Sequence, residues 1–228
     1  MKSFVEKSDA EIKSDVLSEL KFEPSVKVTD IGVLVKDGTV TLNGYATSYG
    51  EKWNAVSATK RISGVKAIAD DIQVKFPGSS LHTDGDIATA AVNQINWTTT
   101  LPTGAADVKV SDGWITLEGE LVWGFEKESA ERAVRHLAGV KGVTNLITIK
   151  PKLVAEDLEV DIQNAFERNA ILEASKINVE TSGSKVTLRG KVRNFTEREE
   201  AERVAWSASG VLSVDNEIEV EWFGSLDD

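Results

Sequence analysis

Residues 40–65 read VTLNGYATSYGEKWNAVSATKRISGV. Val40 and Leu42 alternate with polar residues and run into Gly44, a helical stretch follows, and a second glycine, Gly64, comes 20 residues after the first. The same spacing returns at Gly119 and Gly139, and again at Gly190 and Gly210. Aligned on the first glycine, the segments beginning at Val40, Ile115 and Val186 match without a gap, at offsets of 75 and 71 residues. A period that long describes a small domain rather than one turn of a solenoid.

Each copy carries the same flanking pattern. Upstream lies an amphipathic helix, SDAEIKSDVLSEL in the first copy, with Ile12, Val16 and Leu20 four apart and Ser8 and Glu11 placed for a capping box. Ile87, Ala91 and Ile95, then Leu158, Ile162 and Phe166, repeat that stripe. A hairpin follows. Val33 and Val35 alternate, Asp37-Gly38 forms the turn, and Val40 and Leu42 return; Val108, Val110, Asp112-Gly113, Ile115 and Leu117 repeat it. Asp-Gly supplies the two positive φ angles of a type I′ turn. In the third copy Ser182-Gly183 takes the turn position.

After Gly44, Gly119 and Gly190 comes a second helix, about residues 51–62 in the first copy. Ala55, Ala58, Thr59 and Ile62 form its buried face, matched by Ala130, Ala133, Val134 and Leu137 and by Ala201, Val204, Ala205 and Ala208. Gly64, Gly139 and Gly210 are expected to end it as left-handed C′ residues. A third strand closes each unit at Ile72 and Val74, Ile147 and Ile149, and Ile218 and Val220. The fold class is therefore α+β: three tandem α-β-β-α-β modules, each a three-stranded mixed sheet covered on one face by two helices. The domains are set at 1–77, 78–151 and 152–228, joined by linkers at 77–85 and 151–157.

The hairpin DG-x-VTL-x-G, the helix start EK…A and the close GV-x-x-V-x-N-x-I-x-V resemble the BON domain, over roughly residues 9–76, 84–151 and 156–222. The first copy has Asp70 where the others have Asn145 and Asn216. The resemblance implies a bacterial, non-enzymatic module of osmotic or envelope stress that binds phospholipid. It brings no catalytic residue with it. Family members that bind potassium make a small-cation sensor an alternative.

Composition narrows the function further. The 228 residues are 41% hydrophobic and 28% charged, with no cysteine and a net charge of −11. Lys+Arg against Asp+Glu is 11 to 11 in residues 1–77, 6 to 9 in 78–151 and 9 to 17 in 152–228. That acidity argues against nucleic acid as a partner. No apolar run reaches the ~20 residues of a membrane span. MKSFVEKSDAEIKSDV lacks the apolar stretch of a signal peptide. The sequence as it stands reads as cytoplasmic, or periplasmic if a native signal has been removed.

His82 and His136 stand apart from any metal-binding spacing. No catalytic residue, cofactor or metal site is expected. The carboxylates of 70–72 and 197–202 read as solvated faces. The tryptophans carry more information. Trp114 alternates onto a strand as partly core; Trp53 and Trp206 lie on second helices off the apolar stripe. Trp206 occupies the slot of Lys60 and Arg135, expected to face outward. Trp97 ends the first helix of the second copy at the slot of Phe22, Leu101 follows it, and Trp123 and Phe125 precede the next helix, with Tyr49 and Phe195 in the aligned loops. Such aromatics fill seams between small domains or form a contact surface for lipid headgroups or a partner protein. The contact surface is assigned to Trp97, Leu101, Trp123 and Phe125. The turn and cap positions are assigned to Gly38, Gly44, Gly64, Gly113, Gly119, Gly139, Gly190 and Gly210. The expected function is a binding or scaffold protein at phospholipid surfaces; the alternatives are a cytoplasmic interaction or self-assembly module and the potassium sensor.

Overall fold

The computed structural model describes residues 7–77, 82–150 and 157–221. The first repeat runs α1 (Asp9–Phe22), β1 (Ile31–Lys36), β2 (Thr39–Ala46), α2 (Tyr49–Lys60), β3 (Ala67–Val74). The second runs α3 (Asp84–Trp97), β4 (Asp107–Ser111), β5 (Trp114–Glu118), β6 (Glu120–Leu121), α4 (Gly124–Arg135), β7 (Gly142–Asn145), β8 (Thr148–Ile149). The third runs α5 (Leu158–Glu167), β9 (Ile177–Ser182), β10 (Lys185–Val192), α6 (Phe195–Ser207), β11 (Ser213–Val220). Each sheet is mixed. β2 lies between an antiparallel β1 and a parallel β3, and β10 between β9 and β11. In the second repeat the same path is broken in two, with β5 beside β4 and β7, and β6 beside β8. Each repeat has its own apolar core between sheet and helices. Of the linkers, residues 78–81 of 77–85 and residues 151–156 of 151–157 lie outside the described residues; the end of the former is already helix, since Thr83 caps α3.

The helix stripes are buried where the spacing puts them: Ile12, Val16 and Leu20, Ile87, Ala91 and Ile95, and Leu158, Ile162 and Phe166. The Ser8–Glu11 capping box forms, and Thr83 with Asp86 forms another. On β1 burial alternates, so one sheet face packs on helices and the other is open.

The repeated glycines act through close approach. Gly44 and Gly190 sit opposite Ile31 and Ile177. Their φ angles are +111° and +143°. A methyl group at Gly44 would lie 2.1 Å from the Asp30 carbonyl oxygen, and one at Gly190 would lie 2.0 Å from that of Lys176. Each carbonyl ends the short 3₁₀ turn leading into the first strand, Val28–Asp30 or Ala174–Lys176. Only a residue without a side chain lets that turn rest on the central strand. Gly64, Gly139 and Gly210 are left-handed, at +90°, +86° and +95°, but they are not C′ residues. The capping positions are Arg61, His136 and Ala208, all with negative φ. The glycine comes two or three residues later. At Gly139 an added Cβ would be 2.9 Å from Ile87 Cδ1, so its job is to let the chain pass over the first helix.

The hairpin turns separate the third repeat from the others. Asp37 and Gly38 both have positive φ, as do Asp112 and Gly113. The amides of each pair donate to a carboxylate at the start of the first helix, Asp9 (2.8 and 2.9 Å) or Asp84 (2.9 and 2.8 Å). These hydrogen bonds from Gly38 and Asp37 hold the Asp9 carboxyl below the usual carboxylate range. In the third repeat Ser182 pairs with Lys185, so the turn residues are Gly183-Ser184 and not Ser182-Gly183. Gly183 has φ +59° and Ser184 is not positive, the pattern of a type II′ turn. The position matching Asp9 and Asp84 is Ala155, which has no carboxylate to brace a type I′ turn.

Gly190→Ala should cost about 3 kcal/mol or more, from a positive φ joined to a backbone clash. Gly104→Ala has the same sign of φ and open space around it, and should cost about 1 kcal/mol. Urea unfolding of the two variants measures the difference.

Candidate functional site

The three second helices meet. α4 packs on α6, and α2 touches α6. Tyr49 of the first repeat packs on the core of the second, and Phe195 of the third packs on the core of the first. Trp206 packs on the cores of both the second and the third. Residues 49, 124 and 195 are equivalent, as are 53, 128 and 199, and 60, 135 and 206. The same helix face therefore meets the next repeat three times, and the repeats close into a ring. Trp206 does not face outward, and neither does its slot: Arg135 lies 3.8 Å over the Trp53 ring, and Lys60 pairs with Glu199. Trp206 packs instead on Gly124, where an added Cβ would lie 2.7 Å away. Burial at the first seam pushes the Tyr49 hydroxyl above its ordinary value, with the Glu131 charge adding to it.

Within each repeat a glutamate at the start of the second helix ties down the preceding loop. Glu51 accepts from Lys27 N, Thr47 N and Thr47 Oγ1 at 2.6–2.8 Å. Glu126 accepts from the amides of Val122 and Trp123, and Glu197 from Arg193 N and Nε. Burial alone would raise the Glu51 carboxyl; the hydrogen bonds from Thr47 and Lys27 outweigh it, so the net shift is downward. The next residue anchors the third strand. Lys52 reaches Ile72 O and pairs with Asp70, while Asn145 and Asn216 donate to Lys127 O and Arg198 O. The Asp70 side chain has no N–H to give, and the Lys52 ammonium ties the strand instead through Asp70 and Ile72 O.

The aromatics divide between seam and surface. Trp97 is 78% exposed at the end of α3, and Phe22 is 84% exposed at the same place on α1. Leu101 is partly buried against the second core and supports the loop that Trp97 opens. Trp123 and Phe125 flank the start of α4 with ring centroids 6.5 Å apart and planes 29° apart, each with a large exposed fraction. Trp114 is not core. It lies on the open sheet face across Gly142 and donates to Thr144 Oγ1 at 2.8 Å.

One feature of Trp123 is not explained by packing. It occupies the N-cap of α4, where the other repeats place Ser48 and Asn194, whose oxygens accept from Glu51 N and Glu197 N. An indole accepts no hydrogen bond, so the second repeat forgoes a cap worth about 1 kcal/mol. Among the described residues of the third repeat the open sheet face is laced with ion pairs, Lys185–Asp215, Arg189–Glu180, Arg189–Glu217 and Lys191–Glu221. Among the described residues no group of three or more His, Cys, Asp or Glu is placed to hold a metal ion, and no helix is long and apolar enough to cross a membrane.

A family model described as BON domain matches residues 8–75, 83–151 and 155–221. The Osmotically-inducible protein Y of Escherichia coli (strain K12) is 28% identical over 146 residues, 62% of this chain and 73% of that protein. Two solved structures of CdsD, a structural protein of the Type III secretion system of Chlamydia trachomatis, align over 90% and 94% of this chain and 90% and 99% of theirs. They are 12% and 11% identical, with TM-scores of 0.23 and 0.25, a likeness too slight to bear on the fold.

Removing Phe195 should loosen the ring, and removing Trp97 should not. Phe195→Ala is expected to cost about 2 kcal/mol from lost apolar burial. Trp97→Ala should stay within about 0.5 kcal/mol of the parent. Thermal unfolding reads both. A Glu51→Gln chain tests the loop tie through pH. A carboxyl lowered by folding contributes stability above its unfolded value of about 4.5 and loses it as pH falls through the folded value, so the variant should show a flatter acid limb.

Proposed function

This chain belongs to the BON domain family, and from that premise we propose that it is a non-enzymatic stress-response protein that associates with phospholipid surfaces through the exposed aromatics of its second repeat, Trp97, Trp123 and Phe125, backed by Leu101. The observation that carries this reading is Trp123 at a helix N-cap. A position that favours Ser, Thr, Asn or Asp holds instead a large ring that stacks on Phe125 and stays partly in solvent. Indole rings suit the boundary between headgroup and acyl chain, where the ring is buried and the N–H stays wet. Charge supports apolar insertion over electrostatic attraction. The net charge is −11, and much of the acidity lies in the third repeat. An anionic surface would repel that repeat, so a contact through the second repeat must draw its free energy from ring burial. The relative known as Osmotically-inducible protein Y supports the link to osmotic stress.

Co-sedimentation of the intact chain with phosphatidylcholine vesicles and with vesicles containing phosphatidylglycerol, at low and moderate salt, tests the proposal. Binding should persist at moderate salt and should fall several-fold in a Trp97→Ala, Phe125→Ala chain that remains folded. Absence of binding to both vesicles would end the lipid reading and turn attention to protein partners. Trp123→Ser should restore the missing cap and gain about 0.5–1 kcal/mol of stability, while weakening vesicle binding. If stability rises and vesicle binding is unchanged, Trp123 is not part of the contact.

A further inference from the structure

The three seams are built from two equivalent slots, and in one seam the slot that elsewhere holds a cation holds Trp206. At the seam of the first and second repeats, slot 53 holds Trp53 and slot 135 holds Arg135, the guanidinium stacked on the indole. At the seam of the third and first, slot 199 holds Glu199 and slot 60 holds Lys60, and they pair. At the seam of the second and third, slot 128 holds Glu128, but slot 206 holds Trp206. Two seams thus place a basic side chain against an aromatic ring or a carboxylate. The remaining one has both the carboxylate and the ring, and its own sequence provides no cation in that slot.

The space is there as well. A cavity of about 620 Å³ opens at this junction, lined by Glu128, Trp206 and Trp53 and by five basic side chains, Arg132 and Arg203 among them, which four further carboxylates besides Glu128 accompany. Trp206 rests on Gly124, one helical turn before Glu128. Among the described residues Glu128 accepts no hydrogen bond. Burial pushes its carboxyl above the usual range; Arg132 and Arg203 pull it down, while Glu131 and Glu202 push it up, and the upward effects win. Arg203 is already committed, bidentate to Glu200 at 2.7 and 2.6 Å.

We propose that this seam is a binding site for a small organic ammonium ion, which takes the place that Arg135 and Lys60 fill in the other two seams, with its charge shared between the Glu128 carboxylate and the Trp206 face. Indole is the best of the aromatic faces for a cation, and a desolvated carboxylate next to it adds an ion pair. An alkylated ammonium suits the site better than a metal ion, because a ring face and one carboxylate offer too few oxygens for a hard cation that needs six or more. The site is independent of the proposed membrane surface.

Isothermal titration of the full chain with tetramethylammonium chloride and methylammonium chloride, against potassium chloride at matched ionic strength, tests the proposal. One saturable site per chain is expected for the organic ions and none for potassium. Glu128→Gln should weaken the binding about tenfold or more, the factor set by one charge-assisted contact, with the unfolding midpoint unchanged or raised. Trp206→Phe keeps an aromatic ring in the seam and should weaken binding several-fold. Equal saturation by potassium, no saturable binding of either organic ion, or full binding in the Glu128→Gln chain would each overturn the proposal.

Discussion

Each second helix has two faces to cover and only one sheet. Its inner face is made of small residues, Ala55, Ala58 and Thr59 in the first repeat and Ala201 and Ala205 in the third, so it lies close on its own strands. Its outer face has no partner within the repeat. A unit of this size buries too little surface to leave that face in water, and the neighbouring repeat covers it. The ring, the position of the aromatics and the assignment of surface against seam follow from this need.

That dependence explains how two aromatics of similar appearance in the sequence take opposite roles. Phe195 and Phe125 both stand at the start of a second helix, one residue apart in the alignment. Phe195 occupies the slot that points to the next repeat and is taken into the first core. Phe125 is one position further along the helix, rotated about 100° away, and remains 46% exposed beside Trp123. A shift of a single residue decides whether a ring stabilises the chain or is free to meet something else.

Most of the module was legible because its signals are local and repeated. Stripes at Ile12, Val16 and Leu20, an Asp-Gly turn and a glycine before the second helix depend on residues near in sequence, and three copies make chance agreement improbable. The details that were not legible depend on distant residues. The third turn, Gly183-Ser184, stands at the aligned place of Asp37-Gly38 but takes another turn type, where the sequence has Ala155 instead of a bracing aspartate 28 residues upstream. Gly64 looked like a helix cap because the residue it clears, Ile12, is 52 positions away. Trp114 neighbours the buried Ile115 and so takes the opposite, open face, where Gly142, 28 positions away, leaves room for its ring. The seams had one usable signal, a compensating exchange. Where slot 124 shrinks to glycine, slot 206 grows to tryptophan, whereas Tyr49 and Phe195 face seams whose matching slots hold Arg135 and Lys60.

Closure of the ring has a consequence for assembly. The interface is head-to-tail: the start of one second helix meets the end of the next. Contacts of that kind are satisfied within a molecule only if the rotation returns to its origin, and otherwise they continue from molecule to molecule. Two of the three seams join repeats that are consecutive in the chain. The third, where Phe195 enters the first core and Glu199 meets Lys60, joins the first and last repeats, which are not consecutive in the chain. If it parts, each chain presents an unmatched head and an unmatched tail, and the geometry that makes a closed monomer becomes the repeating step of a linear filament. Phe195 is thus one of the side chains that keep a head-to-tail interface turned inward.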